Sequence, residues 1–132
     1  MSSDKGLIGN KQIEENIQAL KEDFTDENLA VVMTTIRKRI LDGGQFVVAV
    51  DATKGTEHLS LKTAGLNGKK WFIAYTSFDE ELKGNLSVVS GFLADISQLF
   101  DMASKSDEVE GIILNPYGNM LTINKQLIAV IS

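Results

Sequence analysis

Apolar residues at three- and four-residue intervals predict two helices in the first third of the chain. One apolar stripe runs through residues 10–20, with charged residues on the other faces. Asn10 stands at the start of this segment, where an asparagine side chain can cap free backbone N–H groups. A second stripe predicts a helix over residues 26–41, with Thr25 or Asp26 as its cap.

The pattern changes to that of β-strands in the middle of the chain. Residues 46–50 are a continuous apolar run typical of a strand covered on both faces, whereas residues 59–63 alternate between apolar and polar. The dipeptide at 67–68 is Asn-Gly, which favours a tight hairpin. The aromatic run at 70–75 follows it. We therefore expect a three-stranded β-meander over residues 46–76.

A capping box marks the next helix. The hydroxyl of Ser77 can accept from the backbone N–H three residues on, and the Glu80 side chain can reach back. The short helix that follows is predicted to run through Leu82. Residues 86–90 fit either a short strand or an extended loop. The apolar stripe over residues 92–104 predicts another helix.

The last part of the chain predicts a second hairpin and a terminal helix. Residues 111–115 and 120–123 have strand patterns, and residues 115–119 between them are a dense turn signal, Asn-Pro-Tyr-Gly-Asn. The geometry of the Asn-Pro peptide bond is left open, with trans as the default. Asn124 is predicted to cap a helix over residues 126–131.

The order of these elements predicts an α+β fold. Consecutive strands joined by turns favour antiparallel pairing, and the helices lie mostly before and after them. We expect a single domain over residues 10–132, with an antiparallel or mixed sheet of about five strands packed against helices. Residues 1–9 are expected to form a flexible segment.

Composition narrows the classes of function. The 132 residues include no cysteine, which excludes thiol catalysis, zinc fingers and a disulfide framework. Thirteen basic residues face 18 acidic ones, for a net charge of −5. A negative net charge does not favour binding to nucleic acid. It increases solubility or attracts a basic partner. A basic triplet, Arg37, Lys38 and Arg39, is best explained as a complement to the dipole of the second helix.

The same composition bears on location. No apolar run approaches the roughly 20 residues that a membrane span needs, and the first residues lack the pattern of a signal peptide. We therefore expect a cytoplasmic protein without a membrane partner.

The sequence offers little for catalysis. His58 is the only histidine, and a lone histidine in a polar loop is typical of a surface residue. No Ser stands in a G-x-S-x-G elbow, and no G-x-G-x-x-G occurs. The segment 65–70 superficially resembles a phosphate-binding loop, but it lacks the spacing and the following helix, so a hairpin turn explains it better. We expect no enzyme activity, no metal and no cofactor.

Two carboxylate clusters have ordinary explanations. The acidic residues at 79–81 suit the first turn of a helix, where they complement its dipole. The acidic residues at 107–110 are best explained as a solvated loop. Neither cluster has the spacing of an EF-hand.

Two segments, residues 71–78 and residues 115–119, combine aromatic and polar residues in a way that favours partner binding. An aromatic strand usually belongs to the core, and a tyrosine in a tight turn can serve the turn alone. However, a strand that opens directly into a capped helix places polar groups at an edge, and a tyrosine beside it suits an interface. We predict that the two segments lie together and form an interaction surface. Its candidate residues are Tyr75, Thr76, Ser77, Phe78, Asp79, Glu80, Asn115, Pro116, Tyr117, Gly118 and Asn119.

The same segments carry a resemblance. Trp71-Phe72-Ile73-Ala74-Tyr75-Thr76-Ser77-Phe78-Asp79-Glu80, paired with Gly111-Ile112-Ile113-Leu114-Asn115-Pro116-Tyr117-Gly118, resembles the N-terminal domain of the SseB family, the enhanced serine sensitivity proteins. The resemblance spans residues 10–131 and is strongest from residue 70. Tyr75 stands where the family usually has Phe. The resemblance implies a compact domain without known catalytic residues that acts as a binding module; some similar domains resemble immunity proteins encoded beside secreted toxins.

These observations lead to one expectation and three alternatives. We expect a non-enzymatic, cytoplasmic protein-binding domain of the SseB type, with Phe78 and Tyr117 as anchors and acidic residues as a rim. A more specific alternative is an immunity protein that neutralises a basic bacterial toxin. The others are a small-ligand-binding domain or enzyme with an unrecognised site, and self-association through sheet edges.

Overall fold

Two long helices open the chain, close to where their apolar stripes place them. The computed structural model describes residues 5–52, 59–83 and 91–131. After a single 3-10 turn at Lys5–Leu7, helix α1 spans Asn10–Glu22 and helix α2 spans Asp26–Leu41. The Thr25 hydroxyl accepts from the N–H of Asn28 at 3.0 Å, which confirms that residue as the cap of α2. Of residues 1–9, positions 1–4 lie outside the described residues.

The Asn10 cap was predicted wrongly. Gly9 occupies the N-cap position with φ +96°, and no side chain caps α1. Asn10 is instead the first helical residue, and its side chain is buried. The position is in phase with Ile13 and Ile17, so the helix turns Asn10 towards the core, where it finds hydrogen-bond partners in the sheet.

The remaining helices are shorter, and the sheet is mixed. Helix α3 is Phe78–Leu82, α4 is Ile96–Lys105 and α5 is Lys125–Ile131. The strands are β1 (Gln45–Ala52), β2 (Leu59–Leu61), β3 (Thr63–Leu66), β4 (Lys69–Tyr75), β5 (Gly91–Asp95), β6 (Gly111–Leu114) and β7 (Leu121–Asn124). The described residues thus form one α+β fold, as predicted. No helix among them is long and apolar enough to cross a bilayer.

The predicted β-meander is confirmed only in part, because its two outer strands also pair directly with each other. β1 and β4 pair directly and antiparallel, through Val47 with Tyr75 and Val48 with Ala74. Further along, the two strands separate, and the segment between them divides into β2, which pairs with β1, and β3, which pairs with β4. Lys62 joins the halves, since its N–H donates to Ala49 at 2.9 Å and its carbonyl accepts from Ile73 at 3.2 Å. A pattern of strand propensity cannot show such a division, because the residues of both halves favour a strand.

Both hairpin signals are confirmed. Asn67 and Gly68 have φ values of 57° and 76°, the left-handed conformation that a two-residue turn between β3 and β4 requires. The segment that resembles a phosphate-binding loop is therefore a hairpin turn. The second hairpin joins β6 and β7, and the Asn124 side chain accepts from the N–H of Leu127 at 2.9 Å, as expected of the cap of α5.

The helix predicted over residues 92–104 begins later than expected. Residues 91–95 form β5, which pairs antiparallel with β1 over residues 45–49, and α4 starts only at Ile96. The apolar run Phe92-Leu93-Ala94 fits both the spacing of a helix and that of a strand. Its pairing with β1 decides that it forms a strand. The alternatives for residues 86–90, and the surface position of His58, lie outside the described residues.

One pair of strands departs from the antiparallel rule and sets the geometry of the site. β4 and β6 are parallel neighbours, with Phe72 opposite Ile112 and Ala74 opposite Leu114. The connection between them passes through α3, β5 and α4. Because the strands are parallel, both end at the same edge of the sheet. The residues that follow them, Thr76 and Asn115, are therefore brought together.

The main core lies between the sheet and the four longer helices. Its largest fully buried side chains come from both layers, namely Ile13, Ile17, Val32, Ile36, Phe46, Ile96, Leu99, Phe100, Ile112, Leu114, Ile123 and Ile128. A smaller cluster of Val47, Ile73 and Tyr75 lies on the other face of the sheet, with Leu7 packed against it. The 3-10 turn is thus in contact with the sheet.

Gly111 lies where β6 has no room for a side chain. A Cβ there would overlap the carbonyl oxygen of Ile123 and lie 2.8 Å from the Cα of Asn124. These are backbone atoms of β7, so the clash cannot be relieved by a rotamer change. We expect Gly111→Ala to lower the free energy of unfolding by about 3 kcal/mol, measured by urea denaturation.

Gly65→Ala is the matched control. Gly65 also lies in a strand, but the nearest atom to an added Cβ is 4.0 Å away. We expect this substitution to change the free energy of unfolding by less than about 0.5 kcal/mol. Equal effects of the two substitutions would contradict the packing of β6 against β7.

Candidate functional site

Thr76 and Asn115 hold the ends of β4 and β6 together. The backbone N–H of Thr76 donates to the Asn115 side-chain carbonyl at 2.9 Å, and the Asn115 side-chain amide donates to the Thr76 hydroxyl at 3.0 Å. Both residues are fully buried. The prediction that the two segments lie together is therefore confirmed, and the contact is a pair of complementary hydrogen bonds.

Asn115 also sets the direction of the turn that follows. Its φ is 52°, in the left-handed region that few residues other than glycine and asparagine adopt. Its backbone N–H donates to Ala74 at 2.9 Å, and its carbonyl accepts from Gly118 at 3.1 Å. Its peptide bond with Pro116 is trans. Asn115 is thus held by two hydrogen bonds of its backbone and two of its side chain, which fixes the start of the turn that carries Tyr117.

Helix α1 closes this arrangement from the side. The Asn10 side-chain amide donates to the carbonyls of Gln45 at 2.7 Å and Thr76 at 3.1 Å, and the Thr76 hydroxyl donates to the Glu14 carboxylate. We call the side chains of Asn10, Glu14, Thr76 and Asn115 the polar junction. Each of these four residues has hydrogen-bond partners, as buried polar groups require.

Arg39 extends the polar junction to the N-terminal turn. Its guanidinium donates to the Asn10 side chain at 3.0 Å and to the carbonyl of Gly6 at 2.9 Å. The sequence indicated only a complement to the dipole of α2, and Arg39 does lie in the last turn of that helix. Its hydrogen bonds add a second role, since they tie α2 to α1 and to the segment before it.

The capping box at α3 forms only in part. The Ser77 hydroxyl accepts from the N–H of Glu80 at 3.2 Å, as predicted. The Glu80 carboxylate does not return to Ser77; one of its oxygens pairs with Lys83 at 2.5 Å, and the other is buried against Gly118. Glu80 therefore helps to join α3 to the turn after β6.

The acidic residues of α3 are not all solvated. Asp79 is exposed, but Glu80 and Glu81 each keep only 6% of their surface exposed. Among the described residues, Oε2 of Glu81 has no hydrogen-bond partner. Burial raises the pKa of the Glu81 carboxyl above its ordinary value. The expected complement to the helix dipole therefore accounts for Asp79 better than for Glu81.

Tyr75 lies buried beside these groups. Burial raises the pKa of its phenol to about 12, and the negative charges of Tyr117 and Glu81 act in the same direction. The ring packs with Val47 and Ile73. Tyr75 is therefore a core residue and not part of an exposed surface.

The remaining candidates are at least partly accessible. Phe78 and Tyr117 are exposed, at 37% and 53% of their surfaces, and Leu82, one turn after Phe78 on α3, is 64% exposed. Ser77, Pro116, Gly118 and Asn119 are half-buried. The eleven candidates thus divide into a buried support and an exposed surface that stands on it. We call Phe78, Leu82, Tyr117 and their half-buried neighbours the contact surface.

Sequence reasoning missed Asn10, Glu14 and Glu81 as members of the site. For Asn10 there was a signal, since it continues the apolar stripe of α1, and a polar residue on an apolar stripe indicates a buried hydrogen-bonded group. Glu14 and Glu81 offered no signal. They are acidic residues of helices, and only the packing of the helices shows which of them face inward.

Two other features bear on ligands. The part of the chain that the structure describes contains no group of three His, Cys, Asp or Glu residues that could hold a metal ion. A groove of about 300 Å³ lies between α2 and α5, lined by Asp26, Leu29, Ala30, Met33, Thr34, Arg37, Val130 and Ile131. None of these residues belongs to the polar junction or to the contact surface.

Comparison with known protein families, with curated proteins and with solved structures finds no match to this chain. The geometry of its own residues therefore carries the functional argument.

The hydrogen bonds of Asn115 and its backbone conformation make separable contributions to stability. Asn115→Ala removes the bonds to Thr76 and leaves a β-carbon in the left-handed region. We expect it to lower the free energy of unfolding by about 3 kcal/mol. Asn115→Gly removes the same bonds without that steric cost and should be less destabilising by about 1 kcal/mol. Urea denaturation measures both; a glycine variant no more stable than the alanine variant would contradict the strained geometry.

Tyr75 predicts a loss of stability at high pH. Because the fold favours the neutral phenol, this stabilisation is fully present below pH 10 and is lost as the pH rises towards 12. The Tyr75→Phe variant should lack this component. The difference between the ultraviolet absorbance titrations of the two proteins gives the pKa of Tyr75; a value near 10 would show that the phenol is solvated.

Proposed function

We propose that this chain is a non-enzymatic protein-binding domain, active in the cytoplasm, whose partner docks on the contact surface. The observation that carries the proposal is that two exposed aromatic side chains, Phe78 and Tyr117, stand on a buried and hydrogen-bonded base. Aromatic residues at a fixed position lose little conformational entropy on binding, so they are effective anchors. The resemblance to SseB N-terminal domains is consistent with such a binding module.

The arrangement of polar groups supports binding more than catalysis. The hydroxyl of Thr76 and the amide of Asn115 are fully buried, and their hydrogen-bonding capacity is used by one another and by Glu14. A nucleophile or general acid needs access to a substrate. The polar junction therefore serves as a support for the turn that presents Tyr117.

The charge of the protein favours a basic partner. The chain carries a net charge of −5, and Asp79 is exposed beside Phe78. Glu80 is buried, so the expected acidic rim reduces to Asp79. This charge, together with the net charge, speeds the encounter with a positively charged surface.

The test is capture of the partner from a lysate of the source cell at low salt, with the purified protein as bait. We expect one stoichiometric partner for the wild-type bait. Tyr117→Ala and Phe78→Ala should each weaken capture at least about tenfold, as loss of a central aromatic anchor does. Circular dichroism and thermal unfolding confirm that each bait is folded.

Met102→Ala is the matched control. Met102 lies on α4 and is 49% exposed, close to the exposure of Tyr117, but it lies outside the contact surface. Its loss should leave capture unchanged. A partner retained equally by the wild type and by both aromatic variants would contradict the proposal. Light scattering of the wild type separates binding of another protein from self-association.

A further inference from the structure

Strand β5 forms one edge of the sheet. Among the described strands, β1 is its only neighbour, and the pair is antiparallel. The N–H of Ile96 donates to the carbonyl of Gly44 at 3.0 Å, and hydrogen bonds to β1 alternate along an antiparallel strand. Residues 92 and 94 therefore bond to β1, like residue 96. The N–H and carbonyl of Leu93 and the N–H of Asp95 point away from β1, to the open edge.

The side chains of β5 are apolar and accessible. Phe92 is 48% exposed and Leu93 is 36% exposed, and as successive residues of a strand they lie on opposite faces of the sheet. Soluble proteins usually protect an edge strand with a lysine, a proline or a bulge. The sequence of β5 contains neither lysine nor proline, and its register with β1 is unbroken. The edge thus offers both backbone groups and apolar side chains to another strand.

A second copy of β5 fits this edge in antiparallel register. With the two Leu93 residues opposite each other, each Phe92 lies opposite the small side chain of the second copy's Ala94. The two Leu93 residues can exchange both of their free backbone hydrogen bonds, and each Asp95 N–H can reach the carbonyl of the second copy's Gly91. The two Asp95 carboxylates lie at opposite ends of the paired segment, so like charges do not meet there.

We propose that two copies of this chain associate through β5, as an antiparallel pair about a two-fold axis at Leu93, so that one sheet continues through both copies. The match of Phe92 to Ala94 in this register favours a second copy over an unrelated extended segment, which would have to supply its own small residue at that position. The inference goes beyond the proposed function and does not depend on it, since β1 and β4 separate β5 from β6 and the turn that carries Tyr117.

The net charge sets the salt dependence of this association. Each copy carries a net charge of −5, so the copies repel each other most strongly at low salt. The contacts at β5 are backbone hydrogen bonds and apolar side chains, which gain no strength from low salt. Association of two copies should therefore become stronger as salt is added. Capture of a basic partner by the contact surface should become weaker under the same change.

The test is sedimentation equilibrium of the full chain over a range of protein concentrations, at low and at high sodium chloride. We expect the mean mass to rise with concentration from that of one chain towards that of two, with a dissociation constant at least about threefold lower at high salt. Leu93→Lys and Leu93→Glu each place like charges opposite one another at the axis and should each weaken association at least about tenfold. An equimolar mixture of the two variants should associate again, because opposite charges then meet.

Val31→Lys is the matched control. It adds the same charge at an apolar side chain of α2 that is 48% exposed. At high salt it should change the dissociation constant less than about twofold. A wild type that stays a single chain at every concentration, equal weakening by Val31→Lys and Leu93→Lys, or a mixture of the Leu93 variants that does not associate would each overturn the proposal. Circular dichroism confirms that each variant is folded.

Hydrogen exchange on the wild type tests the same contact without a substitution. The Leu93 amide is free at the edge of a single copy, so its exchange should slow as the protein concentration rises. The Ala94 amide bonds to β1 and serves as the internal reference, because its protection should depend less on concentration. Exchange of Leu93 that does not change with concentration would contradict pairing through β5.

The outcome is separable from that of the capture experiment. The Leu93→Lys bait should capture the proposed partner as well as the wild type does, because β5 lies outside the contact surface. A wild type that stays a single chain and still captures a partner would overturn only the pairing of β5. Association that Leu93→Lys abolishes, with no partner captured by any bait, would support the pairing and contradict only the proposed function.

Discussion

The two hydrogen bonds between Thr76 and Asn115 are the constraint on which the rest of the site depends. They join the ends of two parallel strands, so the segments that follow must leave the sheet from one place. One becomes α3 and the other the turn that carries Tyr117. Since both residues are fully buried, loss of either side chain would leave the polar group of the other without a hydrogen-bond partner in the core. The position of the contact surface is thus set from within the fold.

The polar junction also explains why α1 needs a polar residue on its apolar face. Asn10 reaches carbonyls of Gln45 and Thr76, which lie at the ends of β1 and β4. Arg39 in turn holds the Asn10 side chain from α2. The layer of helices is therefore fixed to the sheet by specific hydrogen bonds as well as by apolar packing, and this limits how far the layers can slide against each other.

Much of the fold could be predicted from the sequence, and the exceptions share one cause. Local patterns predict the two long helices and the Asn67 hairpin. Similar polar residues at the ends of two strands predict the adjacency of Thr76 and Asn115. The strand at residues 91–95 could not be predicted, because its apolar run suits a helix equally and only pairing with β1 decides. The burial of Glu81 was equally hidden, since helix packing determines which acidic residues face inward.

The polar junction draws its members from distant parts of the chain, and this has a consequence for assembly. Asn10, Thr76 and Asn115 are separated by 66 and 39 positions, so no early fragment of the protein contains all three. Contacts of such long sequence separation slow the folding of a domain, because closing a long loop costs entropy before the contact forms. The contact surface is therefore complete only after Asn115 has been synthesised and has met Thr76. The partner that we propose would therefore bind only the completed fold.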